Sequence, residues 1–245
     1  MKNQFKNKVF LITGASSGLG YNLTKFFLGH GAKIIGVSRR KPSIISKNNK
    51  FKHVSFDLNN FKKYDLLFKK ASKLFGPIDY FIHAAGVHFI KPIRFINDND
   101  INKALNINLK SPMLISKYFL NKEIFKKPLS VVFIASVMGV VGSSGLSIYS
   151  ASKSGLIGFA KSLSLEMSKQ GIRINCLSPG IVKSPLYKEY SKQLTNEMIK
   201  KIVESHPLGL GSFNDVNNAV CFLLGSESKW MTGHNLIIDG GYSVS

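Results

Sequence analysis

Val9-Phe10-Leu11-Ile12-Thr13-Gly14-Ala15-Ser16-Ser17-Gly18-Leu19-Gly20 is the stretch on which the fold turns. Residues 9–13 form a compact β-type run that ends in a glycine-rich turn. From Leu19 to Leu28 the apolar residues take helical spacing, and Gly29 and Gly31 stop the helix. Strand, turn and helix in that order give each glycine a task. Gly14 permits the tight turn, Gly18 lets the backbone approach a pyrophosphate, and Gly20 allows close helix–strand packing. The helix start offers unpaired N–H groups and a positive dipole end to phosphate. Gly14, Ser16, Ser17, Gly18, Leu19 and Gly20 are therefore candidate contacts for a dinucleotide cofactor.

Outward from the turn, strand-like and helix-like segments alternate. Strands are expected at Lys33–Val37, His53–Phe56, Ile78–His83, Leu129–Ala135, Ile172–Leu177 and Asn235–Ile238. Helices are expected at Tyr64–Phe75, Asp100–Phe119 with a bend or boundary at Pro112, Ile148–Ser168 and Asn214–Leu224. Ser184 to His206 reads as an insertion with short helices, and Lys41 to Lys52 as a loop. With no repeat or linker, residues 1–245 read as a single α/β domain. It is a Rossmann-type, doubly wound parallel sheet of about seven strands with helices on both faces.

The second strand runs into Ser38-Arg39-Arg40, with no carboxylate between Ala32 and Phe56. An acidic residue here would bind the ribose 2′-hydroxyl, whereas arginine accommodates a 2′-phosphate. NADP(H) is thus preferred over NAD(H), which stays open as the alternative.

Tyr149 and Lys153 open a long helix four residues apart, so the phenol and the ammonium share one face. A nearby positive charge is expected to lower the phenol pKa and ready Tyr149 for proton transfer to or from a substrate oxygen. Lys153 can also bond ribose hydroxyls. Ser136 follows an apolar strand, at the sheet edge where ligands bind in such folds, and its hydroxyl can orient the substrate oxygen. Asn108 lies on the preceding helix.

These residues together resemble the short-chain dehydrogenase/reductase family over nearly the whole chain. The matching elements are Gly14 to Gly20, Asp57-Leu58, His83-Ala84-Ala85-Gly86, Asn108, Ser136, Tyr149 to Lys153 and Pro179-Gly180. The resemblance implies a catalytic tetrad of Asn108, Ser136, Tyr149 and Lys153, with Asn108 helping to place Lys153. It implies an adenine contact at Asp57 with Leu58 beside it, and backbone cofactor contacts from Ala84, Ala85 and Gly86. It also implies a nicotinamide-side loop of Pro179, Gly180, Ile181 and Ser184. Ser154 to Phe159 is most similar to 3-oxoacyl-acyl-carrier-protein reductase-like members, and Gly233-His234 and Asp239 to Gly241 to members that form tetramers or dimers. The family often has Asn-Asn-Ala-Gly where this chain has His83-Ala84-Ala85-Gly86, so a strand-stabilising hydrogen bond is in question. His83 reads as structural, because Tyr149 already serves as the proton donor.

The implied activity is NADP(H)-dependent interconversion of a carbonyl and a secondary alcohol. The substrate is a small molecule, anionic or carrier-bound, for instance a 3-oxoacyl group on a carrier protein. A sugar, nucleotide-sugar or other small alcohol is the alternative. A non-catalytic dinucleotide sensor fits less well, because the Tyr149/Lys153 pair is kept.

The net charge is +21, from 34 Lys and Arg against 13 Asp and Glu. The lysines are spread along the chain without a nucleic-acid reading motif, so specific nucleic-acid binding is not expected. A positive field would steer anionic substrates instead. Cys176 and Cys221, with no CxxC spacing, suggest neither a metal site nor a disulfide framework and read as small buried hydrophobes. The first residues are polar and lysine-rich, without the apolar core of a signal peptide, and the longest apolar stretch, Val131 to Gly142, is too short to span a membrane, which points to a cytoplasmic protein.

Overall fold

The computed structural model describes residues 4–42, 48–192 and 194–245. Seven strands form one parallel sheet in the order β3-β2-β1-β4-β5-β6-β7. They are β1 (Val9–Thr13), β2 (Lys33–Ser38), β3 (Phe51–Ser55), β4 (Ile78–His83), β5 (Phe125–Ile134), β6 (Ile172–Pro179) and β7 (Asn235–Ile238). The helices are α1 (Gly18–Gly29), α2 (Tyr64–Phe75), α3 (Asp98–Leu105), α4 (Ser111–Ser116), α5 (Ser147–Ser168), α6 (Pro185–Ser191), α7 (Asn196–Glu204) and α8 (Phe213–Leu224).

β1 is buried along its whole length. Its alternate residues supply two separate cores, as strand geometry requires. Val9 and Leu11 pack with Leu67, Phe68 and Ala71 of α2 and with Leu156 and Ala160 of α5. Phe10 and Ile12 pack on the other face with Leu23 and Phe27 of α1 and Val216 and Val220 of α8. A run apolar on both faces can only be an inner strand, which is why this sheet is covered on both sides. Cys176 and Cys221 are buried, as their apolar settings suggested.

The expected helix from Asp100 to Phe119 is in fact three pieces. Between α3 and α4 lies a π turn, Asn106–Lys110, in which the Ser111 amide reaches back to the Asn106 carbonyl. Pro112 follows directly and has no amide with which to continue an i→i−4 ladder. The bend therefore takes the form of a widened turn, and that turn carries Asn108. Of the expected loop at Lys41–Lys52, residues 43–47 lie outside the described residues, and Phe51 and Lys52 belong to β3. Among the described residues no helix is long and apolar enough to cross a membrane.

The strand order reverses between β1 and β4. The chain winds outward through β2 and β3 on one side, and from β4 to β7 on the other. The connections diverge at that point and leave a crevice above the C-terminal strand ends, where ligands bind in open α/β sheets.

Candidate active site

Six of the segments singled out from the sequence reach this one edge. Gly14–Gly20 follows β1, Ser38 ends β2, Asp57 follows β3 and Ala84–Gly86 follows β4. Ser136 follows β5, and Pro179 ends β6.

The glycine turn is built around atoms that leave no room for side chains. At Gly14 (φ +72°) a Cβ would lie 2.8 Å from the Ala85 nitrogen, and at Gly20 it would collide with the Gly14 carbonyl oxygen. At Gly18 (φ +55°) a Cβ would meet nothing within 4 Å, so the space above the helix start is open. The first main-chain bond of α1 runs from the Tyr21 amide to the Ser17 carbonyl at 3.1 Å, which leaves the earlier amides free to bind an anion. This is a cradle of the kind a pyrophosphate needs. Gly20→Ala is expected to cost about 1–2 kcal/mol by overpacking. Gly18→Ala, strained only in its backbone, should cost about 1 kcal/mol. Urea unfolding of the two variants measures the difference.

A pocket of about 410 Å³ lies at the ends of β2 and β3, lined by Arg39, Ser55, Phe56, Asp57, Asn60 and Lys63. Arg39 and Arg40 are exposed, and among the described residues neither forms an ion pair. Ser38 is engaged elsewhere: its hydroxyl donates to the Arg40 carbonyl at 2.8 Å and contacts His53 Nε2 at 3.0 Å. The Asp57 carboxylate accepts from the Asn59 amide at 3.0 Å and so shapes the turn after β3. Leu58 is buried and its carbonyl accepts from Tyr64 at 2.7 Å, so its amide is the group left for a ligand.

Ser136 is buried at the end of β5, and its Oγ accepts the Met138 amide at 3.2 Å. Tyr149 stands in the first turn of α5. Its pKa is raised, chiefly by burial, while hydrogen bonding to Ser136 pulls it down in part. The direction is opposite to the one expected from the Tyr149/Lys153 spacing. Burial of the phenol sets this direction, and the ammonium is turned to another partner. Lys153 Nζ donates to the Ile134 carbonyl at 2.8 Å and lies 5.8 Å from the centre of the Tyr149 ring. Burial brings Lys153 itself down to about 8. An ammonium has three donors, so the Ile134 bond leaves capacity for ligand hydroxyls.

Asn108 is fully buried. Its Oδ1 accepts the Val87 amide at 2.8 Å, and its Nδ2 donates to the Val87 carbonyl at 3.0 Å and to Ser152 Oγ at 2.9 Å. Ser152 in turn donates to the Tyr149 carbonyl at 2.7 Å. Asn108 therefore ties the chain after β4 to the first turn of α5, the helix that carries Lys153. Gly86 marks the common boundary: a Cβ there would lie 3.3 Å from Asn108 Oδ1 and 3.6 Å from Lys153 Nζ.

The hydrogen bond in question at His83 is present in another form. His83 is fully buried, with Nδ1 3.0 Å from Thr13 Oγ1 and Nε2 3.4 Å from the Ile107 carbonyl. Thr13 Oγ1 accepts the Ala85 amide at 3.2 Å. These contacts fit one tautomer: Nε2–H faces the carbonyl, and Nδ1 accepts from the threonine. His83 thus joins β4 to β1 and to the π turn. Burial and the Lys153 charge bring its pKa down to about 3, so it is neutral.

On the nicotinamide-side loop, Gly180 has its amide on the Ile238 carbonyl at 3.0 Å, and a Cβ there would strike Asp239 at 2.8 Å. Pro179 pairs with Ile238, Ile181 accepts the Gly211 amide at 3.0 Å, and Ser184 caps α6 through the Tyr187 amide at 3.2 Å. Lys63, Thr13, Ser152 and His88 border the site without having been anticipated. Thr13 and Ser152 lie within the glycine-turn and Tyr149–Lys153 stretches but were given no role of their own, and Lys63 lies in a segment with no local motif. His88, two residues beyond Gly86, was visible as a titratable group beside a motif.

A family model described as enoyl-(acyl carrier protein) reductase matches residues 14–243. The chain belongs to the short-chain dehydrogenase/reductase family. This short-chain dehydrogenase/reductase is 30% identical to 3-oxoacyl-[acyl-carrier-protein] reductase FabG of Chlamydia muridarum (strain MoPn / Nigg), over 98% of its own length and 99% of that protein. It superposes on 4-hydroxyisoleucine dehydrogenase complexed with NADH at a TM-score of 0.89 and 29% identity, covering 98% of this chain and 100% of that one. ElxO with NADP bound gives a TM-score of 0.86 at 27% identity, with 98% and 100% covered. Like its family, the short-chain dehydrogenase/reductase is an oxidoreductase acting on CH–OH and carbonyl groups.

Proposed function

We propose that the chain is an NADP(H)-dependent reductase that converts a ketone to a secondary alcohol, with a 3-oxoacyl group on an acyl-carrier protein as substrate. The observation that carries this reading is the meeting of Ser136, Tyr149 and Lys153 at the sheet edge beside the glycine cradle. The substrate class is supported by the 3-oxoacyl reductase named among the relatives and by a net charge of +21, which attracts an acidic carrier.

A bound nicotinamide dinucleotide supplies hydride to the carbonyl carbon. Tyr149 donates its phenolic proton to the carbonyl oxygen, and the Ser136 hydroxyl donates a hydrogen bond to the same oxygen. The spare donors of Lys153 hold ribose hydroxyls. Asn108 fixes the backbone on either side of the proton donor, and the raised pKa of Tyr149 keeps the phenol protonated for reduction.

The NADP(H) preference rests on Arg39, Arg40 and the pocket they adjoin, in which Lys63 adds a third cation. Replacing Arg39 and Arg40 by alanine is expected to weaken NADPH binding about 10- to 100-fold more than NADH binding, since each guanidinium–phosphate contact is charge-assisted. Fluorescence titration with both nucleotides checks it, and equal losses would remove the 2′-phosphate role.

The substrate reading is tested by following NADPH absorbance with a 3-oxoacyl thioester, an enoyl thioester, a simple ketone and an oxidised sugar. Turnover of the 3-oxoacyl thioester above the others is expected. Reduction of the enoyl or sugar substrate alone would overturn it.

A further inference from the structure

His88 is the side chain next to the proposed reacting group that the mechanism above leaves unused. Its ring meets the Tyr149 ring edge to face, with centroids 4.9 Å apart and planes at 83°. It is partly covered but keeps surface open to solvent, whereas Lys153 is buried.

This placement is held from both ends. On one side both main-chain groups of Val87 are bonded by Asn108, which also reaches the Tyr149 turn through Ser152. On the other, the Lys91 amide donates to the Gly145 carbonyl at 2.9 Å, so the segment is strapped to the loop that leads into α5. A side chain on a segment fixed in this way keeps a set position relative to the phenol, which discrimination between substrates requires.

The chemistry of the ring narrows what it can bind. Burial, and then the Lys153 charge, lower the His88 pKa, so the ring is a neutral imidazole with one donor and one acceptor nitrogen. A neutral ring suits an uncharged oxygen better than a carboxylate. In the mechanism above Tyr149 and Ser136 are both committed to the reacting oxygen, which leaves His88 for a second one. We propose that His88 is a specificity-determining residue that hydrogen-bonds an uncharged oxygen β to the reacting carbonyl, such as the thioester oxygen of a 3-oxoacyl group. The inference rests on the reductase reading and adds to it the feature by which the substrate is chosen.

The test compares two substrates on the full chain with NADPH: the acetoacetyl thioester of N-acetylcysteamine, and a monoketone of matched length. In His88→Leu the ratio of kcat/KM, thioester over monoketone, is expected to fall about tenfold, the worth of one hydrogen bond. In His88→Gln, which keeps a donor, part of that ratio should return. Where the leucine variant does not fold, the glutamine variant set against His88→Phe gives the same comparison. A ratio unchanged in both variants, with both rates lowered together, would reduce His88 to packing and overturn the inference. A parent chain that reduces the monoketone but not the thioester overturns the choice of a β-oxygen, and with it the 3-oxoacyl substrate, while the ketone-reductase reading stands. A parent chain that reduces no carbonyl overturns both.

Discussion

Tyr149→Phe is expected to lower kcat for carbonyl reduction about 10²- to 10⁴-fold, the range over which a positioned general acid acts. The substitution removes one oxygen and keeps the ring, so the packing against His88 survives. Lys153 keeps its bond to Ile134, and NADPH affinity should fall by no more than about tenfold, the worth of one hydrogen bond. Stopped-flow turnover beside nucleotide titration separates the two effects. A variant that turns over at the parent rate would remove Tyr149 as proton donor. The raised phenol pKa adds a pH signature. The phenol stays protonated through neutral pH, so reduction should hold its rate there and decline only in alkali. Alcohol oxidation needs the phenolate, and should rise with pH over the same interval.

The second large effect concerns acid stability. His83 has a pKa of about 3 in the fold and one of about 6.5 in an unfolded chain. Between those values the unfolded chain binds a proton that the folded chain does not. Stability from this residue is therefore complete above about pH 6.5 and is lost as pH falls toward about 3. The slope is about 1.4 kcal/mol per pH unit, or about 3 kcal/mol between pH 7 and pH 4. His83→Asn keeps a hydrogen-bonding side chain but has no proton to gain. Urea unfolding of both proteins at the two pH values should give a smaller acid loss in the variant by roughly that amount. Parallel losses would show that His83 does not set the acid limit.

Much of the site was legible because its signals are local. The glycine turn, the strand beside it and the Tyr149/Lys153 spacing each fall within a dozen residues, and each landed where the periodicity put it. What stayed hidden depends on contacts between distant segments. The expected lowering of the Tyr149 pKa was reversed because distant segments bury the phenol, and helix periodicity does not contain that burial. The bend at Pro112 was foreseen, but not its widening into a π turn under Asn108, since proline specifies a missing amide and not what replaces it. His83 replaces an asparagine of the family pattern, and its partners Thr13 and Ile107 lie 70 and 24 residues away.

The bonding around Asn108 also limits what that position can be. One face of the side chain must accept a hydrogen bond from the Val87 amide, while the adjacent face must donate hydrogen bonds to the Val87 carbonyl and to Ser152. Aspartate offers two acceptors, and leucine of the same outline offers nothing. Glutamine has the right pair of groups one methylene too far out, in a site with no exposed surface. Among the twenty side chains only one combines a donor and an acceptor at that branch length, so the chemical alphabet at position 108 has a single letter.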